Sequence, residues 1–458
     1  MDLLTAISSL SFVTLLFLIF ALAIAFGFEF VNGFHDTANA VTTVIYTKSL
    51  PATPAVLYSG FLNFLGAITG GTTVAFSIVN LLPVDLLIDN NNGMALVMVL
   101  SLLIGGIVWN LGTWFIGLPV SSSHTLIGSI LGVGIVNSLI SGNGLAGLNW
   151  GQVITVMTAL LVSPLLGFAL AASGLLLMKL LVRDEKLYAP PVDGHSPPSW
   201  IRGILILTCG GVSFAHGSND GQKGMGLILL VLIGFMPVHY AMDIHDNQKA
   251  KTCRDAVVDV KEILEKSNVT DATVLGQADR VIESLEGKIS LREVPADKRW
   301  EVRKEIYGLV VALGKLQKTN LTFKKNITTQ VSVIKSSIEF VPIWVVVGVA
   351  LSLGFGTTVG YKRIVITVAE KIGKSHLTYG QGAVAETITA ATILGAVYFH
   401  LPVSTTQVLS SGIAGTMAVN NSGVQFDTCR KILLAWIFTL PVSITLSGLL
   451  FFIGSKLI

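Results

Sequence analysis

The sequence predicts an all-α polytopic membrane protein, built from two inverted five-span repeats with broken or re-entrant helices and carrying a small soluble helical insert. Three observations support this class: an apolar composition, two sets of five apolar segments, and two pairs of polar motifs in the same order. Charged residues make up 12% of the chain, against about 25% in an ordinary soluble domain. The hydrophobic fraction is 52% and the mean hydropathy is +0.72.

Ten apolar segments have lengths near the ~20 residues that a helix needs to cross a bilayer. The first set lies roughly at 8–34, 54–82, 94–117, 122–140 and 151–182. The second set lies roughly at 201–235, 340–360, 379–399, 403–420 and 431–456. No basic residue precedes the first segment, which exceeds a signal-peptide core in length, so we expect a retained span.

These segments divide the chain into repeats, a linker and an insert. We expect a first membrane repeat at 1–182, a polar linker at 183–200, the start of the second repeat at 201–240, a soluble insert at 241–338 and the remainder of the second repeat at 339–458. Four prolines disfavour helix in the linker. Apolar residues at three- and four-residue spacing predict amphipathic helices in the insert.

The two sets share polar motifs at matching places. GFHDTANAV (33–41) and AHGSNDGQKG (215–224) lie in the first segment of each set, and LPVSSSHTLIG (118–128) and LPVSTTQVLSSG (401–412) open the fourth. Matching motifs in one order indicate an internal repeat. Because five spans is an odd number, the two repeats must insert in opposite orientations, as in many secondary transporters.

The distribution of basic residues predicts the sidedness. With the N-terminus outside, they fall on one side of the membrane, which the positive-inside rule makes cytoplasmic. We therefore expect both termini and the insert on the outer side. The residues concerned are Lys48, Arg183, Lys186, Arg202, Lys362, Arg363, Lys371, Lys374, Arg430 and Lys431.

Asp36 and Asp220 occupy matching positions inside apolar runs. Ionisable groups there are costly and are usually kept for function, so we interpret both as binding a cation or a proton. Asn39 and Asn219 supply neutral oxygens suited to a hard cation, and Glu386 is a further coupling carboxylate. The alternative is that each Asp caps a broken helix or hydrogen-bonds a neighbour.

The Leu-Pro-Val motifs predict an oxyanion site. A proline is favoured in the first turn of a helix, and the free amides and hydroxyls of a helix N-terminus bind anions. The alternative is that the hydroxyls bond to carbonyls of their own helix. The predicted anion ligands are Ser121, Ser122, Ser123, Thr125, Ser404, Thr405 and Thr406.

An anion beside two buried carboxylates needs positive charge, so the pattern implies cation or proton coupling. Lys223 could pair with Asp220, contact the anion or extend to the interface. The imidazoles of His35, His124 and His216 are possible proton carriers or anion donors, with satisfied interior histidines as the alternative.

Two further carboxylates, Glu29 and Glu386, also lie in apolar runs. Aligning GFLNFLGAITGG with GAVAETITAATILG makes Asn63 the repeat counterpart of Glu386. A carboxylate at that position would then be present in one repeat only.

Both motif pairs resemble the signatures of the inorganic phosphate transporter (PiT) family, and the bacterial low-affinity phosphate permeases in particular. The resemblance implies import of phosphate, alone or as a neutral complex with a divalent metal, together with a proton or a sodium ion. It also implies a homodimer in the cell membrane, here a bacterial inner membrane, in contact with lipid. His35 stands in place of the usual Asn, Gln407 in place of a His, and Asn63 in place of a frequent Glu. These departures weaken the case for sodium, so we favour protons.

Two alternatives stay open at this stage: a sodium-coupled phosphate or sulfate permease, and an intramembrane metalloenzyme. The chain lacks an HExxH motif and duplicates its polar groups, whereas catalysis needs unlike residues in unlike roles. We therefore expect no enzyme activity and no cofactor beyond the coupling cation. The net charge of +3 is spread along the chain and predicts no nucleic-acid partner.

Overall fold

The computed structural model describes residues 10–82, 92–142, 144–145, 148–191, 195–266, 271–319, 321–361, 365, 372–373, 376–420 and 423–457; side chains at 37–39, 92, 318–319 and 321–324 are outside this description. The chain divides into two compact units. The larger unit comprises Leu16–Val231 and Ile343–Ile458, and the smaller one contains Leu232–Pro342.

The described part of the chain is helical and contains no β-strand. The helices of the first half are α1 (Phe12–Tyr46), α2 (Ala52–Thr69), α3 (Thr73–Val79), α4 (Asn92–Phe115), α5 (Ser122–Ile140), α6 (Trp150–Leu181) and α7 (Glu185–Tyr188). The helices that follow are α8 (Ser199–Phe235), α9 (Pro237–Tyr240), α10 (Lys249–Lys266), α11 (Ala272–Ser284), α12 (Arg299–Thr319) and α13 (Leu321–Ser336). The last are α14 (Ile343–Thr357), α15 (Tyr379–Tyr398), α16 (Thr405–Val419) and α17 (Phe426–Gly454).

Nine of the ten predicted apolar segments each overlap one of these helices, and the second segment covers both α2 and α3. Six helices in the described residues are long and apolar enough to cross a membrane: α1, α2, α4, α5, α6 and α17. The second segment is broken between α2 and α3, where Gly71 takes a φ of +84° that a side chain would disfavour. The predicted class of all-α polytopic membrane protein is confirmed.

Helix packing in the larger unit follows the internal repeat. Helix α5 packs on α17 and α16 packs on α6, while α4 and α15 occupy corresponding places beside these pairs. Small residues allow the close approach that membrane helices need. A Cβ at Gly132 of α5 would meet the backbone of Ile444, and one at Gly415 of α16 would meet the backbone of Phe168. Both glycines lie eleven residues after a helix N-cap serine, Ser121 or Ser404, so the two halves use the same contact.

The smaller unit has its own apolar core. Helix α10 packs on α11 and α13, and α12 packs on α11 and α13. The buried Arg303 side chain donates to the carbonyl oxygens of Ala241 at 2.6 Å and Ile338 at 2.7 Å, so one guanidinium joins the two ends of the insert. Burial lowers the pKa of Arg303 to about 10.

Candidate functional site: two helix N-termini around buried carboxylates

The Asp36 carboxylate lies inside α1 and contacts the first turns of two other helices. Ser122 Oγ of α5 donates to Asp36 Oδ2 at 2.9 Å, and Thr406 Oγ1 of α16 donates to Oδ1 at 2.6 Å. All three side chains are buried. One carboxylate of the first repeat therefore joins the hydroxyl motifs of both repeats.

Serine N-caps position these hydroxyls. Ser121 accepts from the His124 amide at 3.1 Å, and Ser404 accepts from the Gln407 amide at 3.3 Å. Each cap has extended backbone angles, near φ −100° and ψ 111°. The following hydroxyls thus start the helix and face the space before it.

The position predicted for the two prolines is wrong. Pro119 and Pro402 lie two residues before the caps, outside the first helical turn. A serine cap supplies the hydrogen bond that begins each helix, so the helix starts after the serine. The proline instead belongs to the extended segment that leads into it.

The remaining predicted anion ligands differ in their contacts. Ser123 Oγ donates to the Val403 carbonyl at 3.1 Å, which ties α5 to the segment before α16. Thr405 Oγ1 is buried and has no hydrogen-bond partner among the described residues. Thr125 donates to the Ser121 carbonyl of its own helix at 3.2 Å, which matches the alternative interpretation for that residue.

His216 lies between the two predicted coupling carboxylates. Its Nε2 is 3.4 Å from Asp220 Oδ2 and 3.6 Å from Asp36 Oδ2. Its Nδ1 is 2.8 Å from Asn63 Oδ1, so an amide orients the ring. Ligand atoms of the His and both Asp residues lie within 4.8 Å of one another, close enough to hold a cation.

The crossing of α2 and α8 brings Asn63 to His216. A Cβ at Gly217 would meet the backbone of Asn63, and one at Gly66 would meet the backbone at Phe214 and Ser218. These two glycines let the helix backbones approach closely, which puts the amide of α2 beside the imidazole of α8. The glycine in Gly-Ser-Asn-Asp therefore serves the site through packing.

Lys223 is buried and fully paired. Its Nζ lies 2.5 Å from Asp220 Oδ1, 2.6 Å from Ser123 Oγ and 2.6 Å from the Val403 carbonyl oxygen. The side chain is 2% exposed. Extension of this lysine to the membrane interface, one of the three options left open by the sequence, is wrong because three acceptors hold the ammonium inside.

Of the two asparagines predicted as neutral cation ligands, the structure describes the side-chain contacts of Asn219 alone. Asn219 Oδ1 accepts from the Val403 amide at 3.3 Å, and its Nδ2 donates to the Leu401 carbonyl at 3.1 Å. The amide thus holds the segment before α16. The Asn39 side chain lies outside the described residues. Direct cation binding by either residue stays a prediction.

Two other histidines lie next to the central groups. His35 Nδ1 is 3.3 Å from Asp36 Oδ1, and its buried Nε2 has no partner among the described residues. His124 Nδ1 is 2.8 Å from the capping Ser121 Oγ. His35 therefore touches the carboxylate itself, while His124 supports a helix cap.

The two isolated glutamates are buried at different places. Glu29 Oε2 accepts from Asn32 at 3.4 Å, and its carboxyl group packs against Gly224, next to Lys223. Glu386 Oε2 accepts from Thr208 at 2.5 Å. Glu386 makes no described hydrogen bond or ion pair to the Asp36 cluster, so its coupling role stays a prediction.

The proposed equivalence of Asn63 and Glu386 is wrong. Asn63 lies in α2, within the second apolar segment of the first set. Glu386 lies in α15, within the third apolar segment of the second set. Counting back from the N-cap serines, Glu386 precedes Ser404 by the interval that separates Leu103 from Ser121. Short runs of alanine, glycine and threonine gave too little information to fix that alignment.

Two contributors to the site were not predicted from the sequence. One is the Val403 carbonyl, which accepts from both Ser123 and Lys223. The other is Asn63, which orients His216. Backbone acceptors leave no composition signal. The sequence named Asn63 only as the counterpart of Glu386, and its position as a polar residue within an apolar run was the signal for a role in the site.

Apolar helices around a buried set of carboxylates, hydroxyls and a lysine are typical of membrane transporters. A model described as the phosphate transporter family matches residues 32–447. The chain belongs to this family, and the resemblance seen in the sequence motifs is confirmed.

Three bacterial relatives are similar to this chain over nearly their whole length. The chain is 38% identical to the low-affinity inorganic phosphate transporter PitB of Escherichia coli strain K12, with 97% of each chain covered. It is 38% identical to PitA of that strain, with 96% of this chain and 97% of PitA covered. It is also 30% identical to a probable low-affinity inorganic phosphate transporter of Bacillus subtilis, with 96% of each covered. These relatives are transporters, and we place the chain among transporters rather than enzymes.

A solved structure, titled the sodium-dependent phosphate transporter, has a similar fold. The TM-score is 0.57 at 22% identity, and the match covers 96% of this chain and 99% of that one. At this identity the likeness concerns the fold alone.

Proposed function

We propose that the protein is a secondary active transporter that imports inorganic phosphate by symport with a proton. The observation that supports this most is the pair of hydrogen bonds from Ser122 and Thr406 to Asp36. Both donors start helices whose N-terminal turns suit an oxyanion. The carboxylate thus uses the donors that phosphate would need.

Competition for those donors links phosphate to a proton. A charged Asp36 attracts both hydroxyls and repels an incoming anion. Protonation of the carboxylate removes the repulsion and weakens its hold on Ser122 and Thr406, which can then turn to phosphate oxygens. Neither the anion nor the proton binds well without the other, and that dependence is the basis of symport.

His216 is the proposed partner in proton handling. Its Nε2 lies within 3.6 Å of one Asp36 oxygen and 3.4 Å of one Asp220 oxygen. A protonated imidazole stabilises both carboxylates, and it can return its Nε2 proton to either of them and become neutral. The ring is held by Asn63, so the proton moves between fixed groups.

A second candidate cargo is phosphate as its complex with a divalent metal. Asp36, His216 and Asp220 offer three ligand atoms within 4.8 Å, a set that accepts such an ion. The metal would then travel as cargo. In that case phosphate uptake and uptake of the metal isotope rise together and in proportion, and chelation of the metal stops both.

The proposed setting is the cell membrane, a bacterial inner membrane, as a homodimer with both termini and the 241–338 insert outside. The basic residues Lys362, Arg363, Lys371 and Lys374, which contribute to this topology, lie outside the described residues. The remaining basic positions at 48, 183, 186, 202, 430 and 431 support the same sidedness.

The test is uptake of labelled phosphate and of labelled sulfate into proteoliposomes, with a pH gradient or a sodium gradient imposed separately. We expect accumulation of phosphate driven by the pH gradient alone. Sulfate stays unprotonated and cannot donate to an ionised carboxylate such as that of Asp220, so we expect it to be rejected. If accumulation requires the sodium gradient, the coupling ion is sodium and not a proton. A preference for sulfate would overturn the assignment of phosphate as the substrate.

A further inference from the structure

Lys223 Nζ has an oxygen environment like that of a small bound cation. Its three acceptors are a carboxylate oxygen of Asp220, the hydroxyl of Ser123 and the Val403 carbonyl, all at 2.5–2.6 Å. The acceptors come from three parts of the larger unit: α8, the first turn of α5 and the segment before α16. Charged, hydroxyl and carbonyl oxygens together are the ligand types that hard metal cations prefer.

The Val403 carbonyl is held in place by residues other than Lys223. Asn219 accepts from the Val403 amide and donates to the Leu401 carbonyl, which fixes the 401–403 segment against α8. Ser123 also donates to the Val403 carbonyl. The oxygen cage is therefore supported by groups other than the lysine, and it does not depend on the ammonium for every contact.

The two repeats differ at this position. In the first repeat Gly33, Asp36 and Asn39 have the spacing that Gly217, Asp220 and Lys223 have in the second. A neutral amide thus occupies the position three residues after the carboxylate in one repeat, and a cation occupies it in the other. The first carboxylate lacks a tethered positive charge from its own motif, whereas the second carries one.

We propose that the Lys223 ammonium is a tethered cation that permanently fills a monovalent-cation site of the second repeat, formed by Asp220, Ser123 and the Val403 carbonyl. Cation exchange is then left to Asp36 in the first repeat. Removing the ammonium opens the second site to sodium. The proposal rests on the proposed function only in its consequence for coupling, because the site itself is argued from geometry.

The test is thermal unfolding of the purified full-length Lys223→Asn variant, which gives the second repeat the residue of the first. Melting is followed in sodium chloride and in choline chloride of equal ionic strength, without phosphate. We expect sodium to raise the melting temperature of the variant by several degrees in a saturable way, since a ligand that binds only the folded state stabilises it. The wild-type protein, whose site is filled, should show a clearly smaller sodium response.

Two control variants separate this site from a general salt effect. Lys179→Asn removes a lysine that bonds Asn420 elsewhere in the larger unit, and it should behave as wild type. The double variant Lys223→Asn with Asp220→Asn removes the cage carboxylate and should lose the sodium response. A sodium response that is absent from Lys223→Asn, or equal in Lys179→Asn, overturns the proposal.

A second substitution keeps the test decisive if Lys223→Asn does not fold. Lys223→Gln keeps most of the side-chain volume and an amide donor, and we expect the same sodium-specific stabilisation. Failure to recover either variant folded from sodium-containing medium also contradicts the proposal, because sodium should replace the ammonium. The melting assay uses no phosphate and no pH gradient, so its outcome is independent of whether proton-driven phosphate uptake is found.

Discussion

At the residue scale, the Asp36 carboxylate is the group that the proposed function links to both the proton and phosphate. It accepts hydrogen bonds from Ser122 and Thr406, and it lies beside the imidazoles of His35 and His216. The sequence predicted that Asp36 and the hydroxyl motifs are functional. It could not predict that they hydrogen-bond each other, since that contact joins residues separated by 86 and 370 positions.

Removing a hydroxyl from the predicted anion ligands should weaken phosphate binding. A hydrogen bond to a charged group is worth about 1.5–3 kcal/mol, so Ser122→Ala or Thr405→Ala should raise the dissociation constant roughly 10- to 150-fold. Isothermal titration of the purified protein with phosphate measures the effect. Thr125→Ala is the matched control, because that hydroxyl bonds its own helix. Equal affinities in all three variants would return the two hydroxyls to a packing role.

At the element scale, the extents of the helices were largely predictable and their contacts were not. The predicted segment 122–140 coincides with α5, because a serine cap precedes an uninterrupted apolar run. The alignment of Asn63 with Glu386 failed, because small residues recur in every membrane helix and do not define a register. Close approach at Gly66 and Gly217 depends on which helices meet, and one sequence does not contain that information.

A methyl group at the crossing of α2 and α8 should disturb the site. In Gly217→Ala the new Cβ meets the Asn63 backbone, so the helices must separate and the Asn63–His216 hydrogen bond must lengthen. We expect a lower melting temperature and weaker phosphate binding. Gly203→Ala in the same helix has open space around its Cβ and serves as the control. A Gly217→Ala protein with the melting temperature and affinity of the control would show that the crossing tolerates a side chain.

Arg303 should hold the insert closed. Arg303→Met leaves the Ala241 and Ile338 carbonyls without their donor, at a cost of about 1–3 kcal/mol for each group left unsatisfied. The buried Cys253 thiol reports the opening, since burial raises its pKa to about 11 and little thiolate exists at neutral pH. Maleimide labelling should therefore be slow in the wild type, increase as the pH rises towards 11, and be faster in Arg303→Met at every pH.

The control for this labelling is Arg280→Met, which removes an exposed arginine of α11. Cys209 and Cys429 are replaced by serine in every variant, so that only one thiol reacts. Labelling of Arg303→Met at the rate of the control would mean that the guanidinium does not hold the two ends together.

At the scale of the whole molecule, two halves of one chain form a single site. The pairs α5 with α17 and α16 with α6 repeat the same packing, and both hydroxyl motifs meet at Asp36. The repeat was visible in the sequence because four motifs kept their order. The asymmetry between Asn39 and Lys223 was visible in the same motifs, but its consequence needed the three acceptors around Nζ.

The proposed topology predicts opposite accessibility of the linker and the insert. In a background without reactive native cysteines, Lys186→Cys should react with a membrane-impermeant maleimide only after cells are permeabilised, and Lys315→Cys should react in intact cells. Both lysines are exposed in the structure, so lack of labelling cannot be ascribed to burial. Labelling of both positions from the same side would contradict the inverted arrangement.

The most direct test of the account is the proton movement that accompanies phosphate. In proteoliposomes with a trapped pH-sensitive dye and no imposed gradient, adding phosphate outside should acidify the lumen at a rate proportional to phosphate entry, with sodium absent. Asp36→Asn keeps the shape of the side chain and removes its charge, so the folded variant should lose both the acidification and the pH-driven accumulation. The control Asp427→Asn changes an exposed residue and should keep both. Phosphate entry without acidification in the wild type, or normal acidification in Asp36→Asn, would contradict proton symport through Asp36.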